Sequence, residues 1–232
     1  MEHTVSVGFM EEDMQIHADH AQRVVLDTAK LPWQPSRGAG VERKLLERHG
    51  GEEGRAISVV RYAKGVAFPQ HAHPGGEEIL VLEGTFADER GEYPRGTWLQ
   101  NPPGSVHAPY SPDGCILLVR LRFAVAGEME GRVVDTRSAP WYPGMAEGLS
   151  VLPLMDSGGV HAALVRWEPG SRFPAHRHYG GEEIYVLSGI FGDEWGSYPQ
   201  GTWMRSPHLS SHEPFSRSGC TLYVRTGHLD FP

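Results

Sequence analysis

The chain has 232 residues, 29 glycines, 18 prolines, 22% charged residues and a formal net charge of −8. That surplus of acid argues against nucleic acid as a partner, because a phosphate-binding surface needs clustered Lys and Arg. Neither a secretory leader nor an apolar run of the roughly 20 residues that cross a bilayer is seen, so a cytoplasmic chain with no membrane partner is expected.

Residues 1–22 are polar and acidic, with Glu11, Glu12 and Asp13 in a row, and read as an N-terminal arm, flexible or a short edge element. Its His17-Ala18-Asp19-His20 reads as solvated sequence rather than a site. Two units follow, 23–130 and 131–232. Val25-Leu26-Asp27-Thr28 leading to Pro32-Trp33 is matched by Val134-Asp135-Thr136 leading to Pro140-Trp141, and the junction is expected within 124–131. Glu42 to Glu47 is the one stretch that reads as a helical turn. The β-rich runs 56–62 and 162–167 end at Gly65 and Gly170; 79–82 and 184–187 follow, closed by Gly84 and Gly189. Asp88-Glu89 before Gly91 and Asp193-Glu194 before Gly196 mark tight turns. Thr97-Trp98-Leu99 and the run from Cys115 to Val119 continue the series, with Cys115 and Cys220 read as small buried thiols. Many short strands between turns predict a sandwich or barrel, not a parallel α/β sheet.

Between 65–120 and 170–225, 32 of 56 positions are identical at a single offset of 105, so the chain contains one unit twice. The repeat duplicates a set of donors: His71, His73, Glu77 and His107, then His176, His178, Glu182 and His212. Side chains two apart on a strand share a face, so His71 and His73 point the same way, and Glu77 keeps their parity. His107 has to come from a later strand folded back over the first. Three imidazoles and a carboxylate suit one divalent ion per unit and leave an octahedral ion two open positions. Glu78 and Glu183 are the rival carboxylates, expected on the opposite face. Trp98 and Trp203 read as barrel packing, Tyr93 and Tyr198 as turn packing, and Arg172 with Arg177 as a solvated pair. His3, His161 and His228 have no partner pattern.

Gly65-(x5)-His71-x-His73-(x3)-Glu77-(x6)-Gly84 resembles the first cupin motif, and Gly96-(x5)-Pro102-x-Gly104-(x2)-His107 resembles the second. The wording from His73-Pro74-Gly75-Gly76-Glu77-Glu78 to Gly84, then Tyr93-Pro94-x-Gly96-Thr97, is similar to the ChrR-type subfamily. That group includes the cupin of a zinc anti-sigma factor and sequences likened to acetylacetone-cleaving and dihydroxyacetophenone-cleaving dioxygenases. The resemblance implies an all-β fold of two tandem double-stranded β-helix (jelly-roll) barrels, each with a metal in its mouth. Three departures qualify it. Residues 1–30 contain no cysteine, so a sigma-binding role is not expected. The acetylacetone-cleaving enzymes resemble the pattern with three His and no Glu, whereas this chain keeps Glu77 and Glu182. In the second unit His208-Leu209 replaces Pro103-Gly104 and Tyr179 replaces Pro74, which could reorient His212 or let His208 compete for the metal. The resemblance implies a non-haem metal dioxygenase that cleaves a C–C bond of a small diketone or hydroxyketone. Fe(II) is then the implied metal, with Zn, Ni or Mn as alternatives. The other reading is a metal- and ligand-binding sensor or regulatory cupin. A small-molecule substrate is the expected partner, exposed strand edges admit a homodimer, and no catalytic residue beyond the metal ligands is assigned.

Overall fold

A computed structural model describes residues 14–51, 54–123 and 130–229; the first 13 residues and most of the expected junction lie outside them. The described residues are almost wholly strands and turns, with one 3-10 turn at Thr28–Lys30, where the Asp27 side chain accepts from Ala29 N. Two tandem jelly-roll barrels result. In the first, the main sheet runs Gln15–Ile16, Val41–His49, Arg55–Tyr62, Cys115–Leu121, Glu77–Asp88, Thr97–Asn101, Arg132–Asp135. In the second it runs Tyr142–Pro143, Leu149–Ser157, Val160–Trp167, Cys220–Thr226, Glu182–Asp193, Thr202–Ser206, Val24–Asp27.

The last strand of each sheet crosses from the other half of the chain. Arg132–Asp135 pairs with Thr97–Asn101, and Val24–Asp27 pairs with Thr202–Ser206. The two barrels are therefore stitched by exchanged edge strands. Beneath that stitch lies a shared apolar core in which Leu80, Trp98 and Leu118 meet Leu164, Tyr185 and Trp203. Side chains of opposite parity fill each barrel's own interior: Ile79, Val81 and Leu117 in one, Ile184, Val186 and Leu222 in the other. With both faces of these strands covered, their sequences read as continuous apolar runs rather than alternating ones.

Two local expectations fail. The stretch 42–47 lies inside strand Val41–His49, because residues 44 to 48 are all buried and a single helical stripe could not bury five in succession. Leu46 reaches the shared core beside an irregularity in the ladder between Leu45 and Glu47. Strand Glu77–Asp88 does not stop at Gly84 but passes through it. Gly84 has φ 69, the opposing register shifts between Ile116 and Leu117, and an added Cβ would lie 2.0 Å from the Gly114 carbonyl oxygen. The glycine thus makes a bulge that bends the strand around the barrel instead of ending it. Cys115 and Cys220 are buried and unbridged. No helix among the described residues is long and apolar enough to cross a membrane.

Candidate metal centres

A small two-stranded ladder at each barrel mouth carries the imidazoles. His71–His73 pairs antiparallel with Ser105–His107, setting His107 opposite His71; His176–Arg177 pairs with Ser211–His212, setting His212 opposite His176. The carboxylate comes from the first residue of the long strand, Glu77 or Glu182. His176, His178, Glu182 and His212 converge as one set; in the first barrel His71, His73 and His107 converge, and Glu77 joins them through His73 and His107.

In the first, His73 Nε2 and His107 Nε2 are 2.9 Å apart, and Glu77 Oε2 lies 3.3 Å and 3.5 Å from them. In the second, His178 Nε2 is 3.2 Å from His176 Nε2, and Glu182 Oε2 is 3.4 Å from His178 and 3.6 Å from His212. His71 Nδ1 is 2.8 Å from the Pro69 carbonyl oxygen, and His176 Nδ1 is 3.0 Å from that of Pro174. Nδ1 therefore donates and each Nε2 keeps its lone pair for the cage. Glu78 and Glu183 point to the other face. Glu78 accepts from Trp98 Nε1 at 3.0 Å and from Tyr223 and Arg225; Glu183 accepts from Trp203 Nε1 at 3.0 Å and from Arg120. Each of these carboxylates thus takes a buried arginine from the opposite barrel and secures the seam.

Burial sets the protonation of the cages. It lowers His73 and His178 to about 3 and His107 to about 4, with neighbouring imidazoles adding to the effect. It pushes Glu77 up to about 7, against the opposing hydrogen bond from Asn101, and Glu182 likewise to about 7. Neutral imidazole lone pairs converging on a buried carboxyl are short of one positive charge. Glu182 Oε2 is buried without a hydrogen-bond partner. A divalent ion fits this donor set.

Residues behind the ligands were not foreseen as part of the site. Asp88 Oδ2 stands 3.5 Å from His107 Nδ1, and Asp193 Oδ2 stands 3.6 Å from His212 Nδ1. Tyr93 and Tyr198 donate their hydroxyls to these carboxylates at 3.1 Å and 2.7 Å, a role beyond the turn packing expected of them. Asn101 Nδ2 donates to Glu77 at 3.0 Å, and Ser210 Oγ lies 2.9 Å from His178 Nδ1. The signal was present for the Asp–Tyr pairs, which also recur at the offset of 105, but their neighbouring glycine made them read as turns.

The second corner keeps its shape without its glycine. Leu209 takes φ 62 where Gly104 has φ 80, so Ser211–His212 still faces the cage. His208 turns away and accepts from Gly180 N at 2.8 Å. Arg172 and Arg177 are exposed, and Arg172 lies over the Phe215 ring.

Each cage opens on a cleft, of about 260 Å³ in the first barrel and about 170 Å³ in the second. Arg43, Ser58, Tyr62 and Arg122 line the first among apolar residues; apart from its cage residues the second is lined by apolar side chains, Met145, Val151 and Trp167 among them.

Residues 21–124 and 129–230 each match one family model, described as the ChrR Cupin-like domain. Among solved structures the chain is similar to a "putative dioxygenase" of Nostoc punctiforme, with 17% identity, a TM-score of 0.75, and 88% of this chain and 82% of that one covered. It is similar also to the salicylate 1,2-dioxygenase of Pseudoaminobacter salicylatoxidans, at 10% identity and TM-score 0.65 over 90% of this chain and 81% of that one. A third is the Bacillus subtilis oxalate decarboxylase described with Mn(II) centres, at 15% identity and TM-score 0.61 over 90% and 78%. No curated protein matches the chain.

Proposed function

The chain belongs to the ChrR cupin-like family, with two copies of its barrel, and from that premise we propose that the first cage is the centre of a non-haem metal dioxygenase. Its substrate would be a small diketone or hydroxyketone, cleaved at a C–C bond, with Fe(II) as the metal. One observation carries the reading. Three imidazoles from a two-stranded ladder meet a carboxylate from the long strand of the main sheet, and a cleft of about 260 Å³ opens beside them. That volume suits a small chelating molecule, and four protein donors leave an octahedral ion two positions for it.

An Fe(II) ion held there by His71, His73, Glu77 and His107 would supply Lewis-acid activation of a chelating substrate for attack by dioxygen. The side chains hold that geometry. His71 is locked through Nδ1 to the Pro69 carbonyl, and the Phe68 ring meets its ring edge-to-face at 5.1 Å. Asp88, fixed by Tyr93 and Arg90, backs His107; Arg90 also donates to Asn101, which in turn donates to Glu77. The Glu77 carboxylate is thereby tied by hydrogen bonds to the same frame as Asp88, which stands 3.5 Å from His107 Nδ1. Tyr62, Phe86 and Leu117 form the apolar wall that limits water, while Arg43, Ser58 and Arg122 offer hydrogen bonds to substrate oxygens. Glu77 is the one carboxylate among the described residues lining the cleft, which favours a substrate acidic enough to bind as its enolate. Likeness to proteins named as dioxygenases is a likeness of fold at low identity, and fold does not choose the chemistry.

The test is oxygen uptake by anaerobically Fe(II)-loaded protein across a panel of β-diketones and hydroxyketones. Uptake matched by substrate loss is the expected result. Tight zinc with no uptake on any member of the panel would overturn the reading.

A further inference from the structure

Within the arm, His17-Ala18-Asp19-His20 is not the solvated sequence expected of it, and the arm includes a short edge strand. Gln15–Ile16 adds to the first sheet by pairing with His49 and Arg48. The chain then turns at His17, which has φ 46 and its Nδ1 2.7 Å from the Leu46 carbonyl oxygen. Arg205, fully buried in the second sheet, donates to the carbonyls of His17 at 2.6 Å, Asp19 at 2.8 Å and Gln22 at 3.3 Å, and to the Glu47 carboxylate. Residues 14–22 thus form a strap laid over the seam between the barrels.

The strap brings His20 to His49 and Glu47. The two Nε2 atoms are 3.1 Å apart, and Glu47 Oε1 lies 3.3 Å from one and 3.5 Å from the other. The rings meet edge-on with centroids 4.8 Å apart. These values coincide with those of the two cages, where imidazole nitrogens approach to 2.9 Å and 3.2 Å and the carboxylates stand 3.3 to 3.6 Å away. Each Glu47 oxygen has its own role: Oε2 faces Arg205 and Oε1 faces the imidazoles. The Glu47 side chain is wholly buried, whereas His20 and His49 are 13% and 31% exposed, so the outer side of the trio is open to water.

We propose that His20, Glu47 and His49 form a third divalent-cation site, distinct from the barrel mouths, which fastens the strap to the first barrel. Two imidazole nitrogens, one carboxylate oxygen and one water are the donor set of a tetrahedral zinc ion. Such an ion resolves the meeting of two Nε2 atoms on one oxygen, because all three lone pairs can then point at it. The site stands apart from the proposed catalysis and survives its failure.

Zinc binding by the full chain, stripped with chelator and titrated calorimetrically, provides the test. His20→Gln and His49→Gln are each expected to bind one equivalent fewer than the wild type, whatever the cages hold. His17→Gln, whose ring only meets the Leu46 carbonyl, should bind the full number. Amide exchange of the wild type gives a second reading that needs no variant: zinc should slow residues 14–22 by about tenfold or more. Equal stoichiometry in wild type and both variants, or exchange over 14–22 indifferent to zinc, overturns the proposal.

Discussion

Around the first cage Asn101 steadies Glu77, Arg90 of the same hairpin holds Asp88, and Arg43 and Arg122 reach the cleft. Around the second, the position of Asn101 is Ser206 and that of Arg90 is Trp195, while Val151 and Gly227 stand for the two cleft arginines. Asp193 instead receives Arg23 at 3.0 Å, delivered by the strand exchanged from the other end of the chain. The same donors thus sit in two different frames. One frame is local and polar and faces a mixed cleft; the other depends on the stitching of the barrels and faces an apolar one. Duplication preserved the capacity to hold an ion and let the surroundings that select a ligand diverge.

The largest effect should come from removing one imidazole from each cage in turn. His73→Ala is expected to lose one equivalent of metal and at least about 100-fold in oxygen uptake, since binding and chemistry are lost together. His178→Ala should lose one equivalent with turnover near that of the wild type. Metal analysis beside oxygen-electrode rates reads both, and the opposite ranking moves the catalytic centre to the second barrel. A smaller effect should follow from exchanging the residues that steady the carboxylates. Asn101→Ser should weaken the first cage about tenfold, the scale on which partners behind ligands act, and Ser206→Asn should tighten the second. Chelator competition measures this, and an unchanged first cage would mean that Asn101 is idle.

Arg122 sharpens the contrast between the clefts. It holds φ 55 at a position where the second copy has Gly227 at φ 77. A strained side chain kept at a cleft suggests use. Arg122→Gly should raise KM about fivefold, the worth of one hydrogen bond of about 1 kcal/mol, with kcat and metal content unchanged. Equal KM values would remove Arg122 from substrate binding.

The repeat made the donors, their parity and the barrels legible. Glu77 and Glu78 fall on opposite faces by alternation within their own strand, but the parity shared with His71 and His73 does not run along one strand, since the turn at Pro74 to Gly76 separates the two strands. What alternation cannot carry is the identity of a partner. Val24–Asp27 reads as a strand in either half, and only the docking of whole barrels sends it to the far sheet. Glu42 to Glu47 reads as a helical turn because nothing local says that both its faces will be covered. His20 lies 27 residues from Glu47, and its approach depends on Arg205 gripping the strap from the second barrel.

The seam offers a pH contrast, because His228 stands where the first copy has Phe123. Burial lowers His228 to about 3 although Glu183 stands 3.4 Å away. Burial alone would raise Glu183, but Arg120 and His228 hold it at about 2. The unfolded chain takes up the histidine proton first, near 6.5, so stability falls as pH drops from there towards 3. The Glu183 contribution, present above about 4.5, is lost on the way to 2. His228→Phe should abolish the first of these losses and keep the second. Thermal melts between pH 7 and 4 will show a shallower slope for the variant; parallel slopes would mean that His228 is solvated in the folded state.

The smallest effect belongs to the corner of the second cage. Leu209 is held at φ 62, and it is 47% exposed, so its side chain gains little from burial. A left-handed L-residue costs about 1–2 kcal/mol, whereas glycine loses about 0.5–1 kcal/mol through the freedom of its unfolded chain. Backbone strain outweighs that loss. Leu209→Gly should therefore stabilise by about 0.5–1 kcal/mol, or roughly 2 °C in a chain of this size. Gly104→Leu should show the reverse, since nothing lies within 4 Å of the Cβ it would add and the backbone alone opposes it. If both substitutions destabilise, Leu209 holds the second corner by packing, and the two corners are alike only in outline.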